Sequence, residues 1–212
     1  MIKIYSFFLF ILLLPAFTVS AQTSVSDPAV TVTDDATTYT LSNGYITAKI
    51  NKRTGDLVSL KTSKTTTPNV ELMGYVSGHH AGYWEQSPAL AAREITAIPI
   101  ENVPGPRGAV SLPGSSAGKS ILGANPTAAG QGGGLIADLE IRYTLERGAK
   151  GIYTYAIFTH QDNYPAGSVG ESRFGFKLSG AVFNWMSIDK QRNFLMPSGA
   201  DWDAASDLNM KE

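Results

Sequence analysis

Residues 138–145 alternate without a fault: Leu139, Ile141, Tyr143 and Leu145 are apolar, and Asp138, Glu140, Arg142 and Thr144 between them are polar. Successive side chains of an extended chain point to opposite faces, so this is the pattern of a strand with one wet face and one buried face. No long stretch carries a helical period of comparable quality. Other segments read the same way. Tyr39-Thr40-Leu41 leads through Ser42-Asn43-Gly44 into Tyr45 to Ile50, and the Asn-Gly pair suits the left-handed conformations of a tight hairpin. Asn51 to Asp56 forms a second turn, opening onto Leu57 to Lys61. Ile152 to Phe158 is apolar on both faces and reads as a central strand. Arg173 to Leu178 follows as another. The expected fold is all-β, an antiparallel β-sandwich.

The first residues set which part of the chain folds. Lys3 precedes an apolar run from Ile4 to Leu14, then Pro15, and Val19-Ser20-Ala21 closes the segment with small residues. That order is a secretory signal, with cleavage expected after Ala21. The run is shorter than the roughly 20 residues that span a bilayer, so no membrane anchor is expected. The product is secreted, extracellular or periplasmic. Residues 22–212 suffice for one domain with its own core, which fits a chain without cysteine. That lack removes thiolate metal sites and cysteine nucleophiles. A net charge of −1 with scattered Lys and Arg lacks the basic footprint of a nucleic-acid binder.

Pro99 to Gly134 is the irregular region. Five prolines and several glycines point to one large loop within a single domain. The tract from Gly130 to Gly134 lacks the Lys-Ser/Thr ending and following helix of a phosphate cradle.

Few residues suggest chemistry. His79 and His80 are adjacent in a glycine-flanked loop, and neighbours in extended chain point apart, which argues against a shared metal ion. No metal or other cofactor is expected. Tyr83 and Trp84 follow; their rings suit either the apolar faces of sugars or a core. His160 opens a polar loop that reads first as a satisfied turn. The strongest constellation is Gly170 to Lys177. On a strand, Arg173, Gly175 and Lys177 share one face, with glycine leaving space between two cations, and Phe174 and Phe176 point to the core. Such a face either sits in solvent or holds a flat anionic group such as a uronate carboxylate.

These residues resemble a known family. Gly170-Glu171-x-Arg173-Phe174 is followed by Phe183 to Asp189, Gln191-Arg192 and Met196-Pro197. Upstream lie Ser42-Asn43-Gly44, Gly55-Asp56-Leu57, Gly82-Tyr83-Trp84 and Gly151-Ile152-Tyr153-x-Tyr155-Ala156. Over residues 38–212 their order is similar to the N-terminal domain of rhamnogalacturonan endolyases of polysaccharide lyase family 4. The resemblance implies a large β-sandwich of the galactose-mutarotase type, continued in complete members by two smaller β-domains. It also implies a pectic polysaccharide, rhamnogalacturonan, as partner and its cleavage by β-elimination at galacturonate.

By the same resemblance, Arg173 matches a family arginine in the substrate cleft, and Lys177 stands where some members have a second arginine. Tyr83, Trp84 and His160 complete the candidate substrate-binding set. The family's base, a lysine, and its acid, a histidine, belong past the Met-Pro region. Lys211 comes too early for that base, and none of the three histidines takes the acid's place. No catalytic residue is therefore expected before Glu212, and the domain is expected to be incomplete at its C-terminal end, inactive alone and monomeric. Two other classes stay open: a non-catalytic carbohydrate-binding module and a structural cell-surface domain.

Overall fold

A computed structural model describes residues 27–63, 69–74, 81–84, 96–118, 136–166 and 172–207. The expected signal segment, His79, His80 and Gly170-Glu171 lie outside them. The strands are β1 (Thr31–Asp34), β2 (Thr38–Ser42), β3 (Ile46–Asn51), β4 (Leu57–Thr62), β5 (Val70–Glu71), β6 (Gly82–Trp84), β7 (Ile98–Glu101), β8 (Arg107–Gly114), β9 (Asp138–Glu146), β10 (Tyr153–Thr159), β11 (Phe174–Phe176), β12 (Trp185–Ser187) and β13 (Asn193–Leu195). One helix follows, α1 (Gly199–Asp207).

All pairings are antiparallel. A seven-stranded sheet runs β1-β2-β3-β4-β6-β11, with β5 beside β4; a four-stranded sheet runs β10-β9-β8-β7; β12 and β13 form a separate pair. The alternation at 138–145 does what it dictates, for Leu139, Ile141, Tyr143 and Leu145 are all buried. Leu41, Ala48, Ile50 and Leu57 face them from the larger sheet, in one core with Val110 and Leu112. Each large side chain taken out of water there contributes about 1.5–3 kcal/mol. The fold is a β-sandwich. Among the described residues, no helix is long and apolar enough to cross a membrane.

Both foreseen turns form, and both serve the sandwich. At the first, only Gly44 takes a positive φ, 79°, as in hairpins whose first turn residue is glycine. Asn43 has a different task. Its Oδ1 accepts from the Tyr45 and Ile46 amides, and its Nδ2 donates to the carbonyls of Glu146 at the end of β9 and of Ala149 in the turn that follows, at 2.8 Å each. At the second turn Gly55, φ 76°, brings the backbone against Ile141, whose Cδ1 lies 2.9 Å from where a Cβ would stand. The Tyr143 hydroxyl donates to the Gly55 carbonyl at 2.8 Å.

Two expectations fail here. Part of the supposed loop Pro99 to Gly134 is strand: β7 and β8 lie within or across it, and β8 is an inner strand of the four-stranded sheet. Pro99 is tolerated because β7 is an edge, where an amide donor is dispensable. Gly108 is needed because a Cβ would stand 2.8 Å from Val30 Cγ1 and Val32 Cγ2. Residues 119–135 lie outside the described set. Second, β10 is not central: among the described strands it pairs with β9 alone and ends its sheet.

Candidate functional site

The strongest sequence constellation falls on β11, at one end of the seven-stranded sheet. β11 pairs with β6 so that Phe174 is opposite Trp84 and Gly175 opposite Tyr83. Directly opposed residues share a face, which sorts the candidates into two sets.

On one face, Tyr83 lies over Gly175. A Cβ on Gly175 would stand 2.7 Å from Tyr83 Cζ and 3.1 Å from its hydroxyl oxygen. The glycine is therefore required, but the space it leaves is filled by the tyrosine ring rather than open, as the sequence reading had it. Lys177 Nζ sits 6.0 Å from the centroid of that ring, at the outer limit of a cation–π contact. The Lys177 amide donates to the Ala81 carbonyl and its own carbonyl accepts from the Gly74 amide, both at 2.7 Å, so the backbone under this lysine is pinned on both sides. Arg173 precedes β11, exposed, and by strand alternation belongs to the same face. The result is a shelf in which Lys177 stands beside the Tyr83 ring, with Arg173 one residue before β11 on the same side by strand alternation.

On the opposite face, Trp84 stacks at a tilt on Phe174, centroids 5.4 Å apart, and its Nε1 donates to Thr154 Oγ1 on β10 at 3.1 Å. Trp84 packs against the main core. It joins the two sheets and lies away from the shelf. Phe174 is half-buried beside it. Phe176, expected in the core, is 43% exposed; β11 ends the sheet, and no described layer covers the ring.

His160 belongs to a different neighbourhood. Its Nδ1 lies 2.7 Å from the Ile136 carbonyl oxygen, and its ring meets Tyr164 edge-on with centroids 6.0 Å apart. A carbonyl only accepts, so Nδ1 carries the proton and Nε2 is the acceptor of the neutral ring. The centre of this cluster is Asp138, which sequence reasoning passed over as a polar strand position. Its Oδ1 accepts from Ser115 Oγ, the Ser116 amide and the Tyr164 hydroxyl, and its Oδ2 from Gln161 Nε2. Burial raises the carboxyl's pKa, but these four donors outweigh it and hold the group below its usual value. The donors stand 22–26 residues away in the chain, so no local signal marks them.

The shelf and the Asp138 cluster do different work. The shelf carries an exposed Arg173 and a half-buried Lys177, the latter beside the Tyr83 ring. The cluster has its carboxylate fully engaged and acts as a brace. Among the described residues, no group of three or more His, Asp or Glu is placed to hold a metal ion.

Residues 126–212 match the model of the rhamnogalacturonate lyase family. This stretch holds Arg173, Lys177 and His160 and leaves Tyr83 and Trp84 outside, so it is narrower than the span of the sequence resemblance. No curated protein and no solved structure matches the chain.

Proposed function

We propose, starting from the relation of residues 126–212 to rhamnogalacturonan lyases, that this chain is the secreted N-terminal part of an endolyase that cleaves pectic rhamnogalacturonan. In this reading Arg173 and Lys177 hold a galacturonate while the Tyr83 ring supports an apolar sugar face. The single observation carrying it is the coincidence of that family match with a strand face on which Lys177 stands beside the Tyr83 ring over Gly175.

The chemistry explains why cations are wanted. β-Elimination removes a weakly acidic proton next to the uronate carboxylate and then expels the glycosidic oxygen. Negative charge grows on the carboxylate as the proton leaves, and nearby fixed cations lower that cost. Arginine can grip a carboxylate with two parallel hydrogen bonds; lysine supplies a point charge. Positioning and charge neutralisation are thus assigned to this chain, and proton abstraction and leaving-group protonation to residues past Glu212. On that division the chain alone binds weakly and does not turn over.

Ultraviolet absorbance of newly formed unsaturated uronates tests this. Purified residues 22–212 are incubated with rhamnogalacturonan, beside a version extended by whatever the reading frame encodes past Glu212. Reaction by the extended form alone supports the proposal, and turnover by the short form overturns it. Binding by both with cleavage by neither supports the carbohydrate-binding module instead. Arg173→Ala should weaken binding of rhamnogalacturonan fragments by about tenfold or more, the scale of a lost charge-assisted contact.

A further inference from the structure

The two main sheets have five end strands among those described, and four are short or defended against pairing with another chain; β5, beside β4, has only two residues. β1 is four residues long and ends on Asp34, which is ion-paired with Lys52. β7 contains Pro99, shifts register between Pro99 and Glu101, and carries the Glu101–Arg107 ion pair. β11 has three residues and is followed at once by Lys177. Short length, charge, proline and irregular register are the devices that keep sheet edges from joining.

β10 has none of them. It is seven residues, Tyr-Thr-Tyr-Ala-Ile-Phe-Thr, without charge or proline, and in unbroken register with β9 from Tyr153–Thr144 to Thr159–Asp138. Tyr153 and Tyr155 on its outer face are 59% and 45% exposed. A strand apolar on both faces belongs inside a sheet; among the described residues, no strand pairs with the outer row of amides and carbonyls of this one.

We propose that β10 pairs with β10 of a second copy of this chain, antiparallel about a two-fold axis through Ala156. The register follows from the strand itself. Centred on Ala156, Tyr155 meets Ile157 of the other copy on the outer face, Thr154 meets Phe158 on the inner face, and Tyr153 meets Thr159, so all seven residues pair. The same register carries Lys150, just before the strand, toward Asp162 of the other copy, just after it. Both are exposed. A two-fold contact repeats every pairing, giving two Lys150–Asp162 contacts. Exposed ion pairs contribute little affinity; their part is to select this register, in which opposite charges meet. Two four-stranded sheets would then form one continuous eight-stranded sheet. One strand per copy is a small interface, so association is concentration-dependent and on the weak side of stable dimers. This departs from the monomer expected on sequence grounds, because only the fold shows that β10 is an edge.

Sedimentation velocity of the purified chain over a range of concentrations tests it. Dimer should grow with concentration, and Ile157→Lys should raise the dissociation constant at least about tenfold, the scale of placing an uncompensated charge in the pairing. The register is tested by mixing that variant with Tyr155→Glu. Each alone should be monomeric, and the mixture should form a heterodimer, since Lys and Glu then oppose each other while the second Tyr–Ile pair stays intact. If Ile157→Lys fails to fold, the exposed Lys150→Asp and Asp162→Lys variants replace it: each alone weakens the dimer and their mixture restores it. A folded chain that stays monomeric at every concentration overturns the proposal. So does a dimer indifferent to these substitutions, which would place the contact elsewhere.

Discussion

Ile141 and Trp185 are both large apolar side chains on antiparallel strands, yet Ile141 is wholly buried and Trp185 is 57% exposed. The contrast extends to their regions. In the sandwich, polar bonds reach across the chain: Asn43 to Ala149 over 106 residues, Tyr143 to Gly55 over 88, Trp84 to Thr154 over 70 and Tyr39 to Ala97 over 58. From residue 172 on, no described residue is buried. Several side-chain bonds there are local: Asp189 with Gln191 and Arg192, Trp185 with Asn193, Ser198 with Asp201. Helix α1 begins on that last pair, a capping box in which Ser198 and Asp201 satisfy each other's amides. A two-stranded pair with no described layer beneath it is marginal by itself. The family-matched stretch runs through both regions, so one relationship spans a packed layer and a bare one.

The largest test of this contrast is Ile141→Ala against Trp185→Ala. The first should cost about 2–5 kcal/mol of global stability, and the second should stay within about 0.5 kcal/mol. Urea unfolding measures both; equal losses would abolish the distinction between the regions. Asn43→Ala should cost about 2–4 kcal/mol, because it strands the Glu146 and Ala149 carbonyls and two turn amides at a buried site. A loss as small as that of a surface substitution would show that the cross-sheet bonds are incidental.

Tyr143→Phe should cost about 1 kcal/mol by removing the bond to Gly55. It should also flatten the alkaline limb of the stability profile. Burial first, and the Asp56 charge next, push the Tyr143 phenol above its ordinary value. The folded state therefore keeps the proton while the unfolded chain loses it above about pH 10. The stability so contributed is full below that pH and is lost as pH rises toward the folded value. Urea midpoints from pH 8 to 11 for both proteins check the sign.

Asp138 works in the opposite direction. Its folded carboxyl is held below the usual value, so its contribution is present above about pH 4 and fades as pH falls. Asp138→Asn should narrow the stability gap between pH 6 and pH 3 by less than about 1 kcal/mol, since the site is partly open to water. The smallest effect is expected from Ser198→Ala: faster amide exchange within 199–207 and an unchanged global unfolding midpoint. A shifted midpoint would mean that α1 is coupled to the sandwich after all.

What could be read from the chain alone was local. The alternation at 138–145 settles the inward face of β9, because side-chain direction has a period of two whatever lies opposite. Gly44 and Gly55 mark turns because a positive φ is a property of a single residue. Tertiary structure decided the rest. β8 is inner and β10 an edge because of which strands lie beside them, and a strand's own pattern does not encode its neighbours. Gly175 reads in sequence as open space, but its pairing with β6 places the Tyr83 ring there. Asp138 becomes a brace only when residues 115, 116, 161 and 164 converge on it. A residue's conformation is set by near neighbours in the chain. What surrounds it is set by partners tens of residues away, brought together by burial of the shared core.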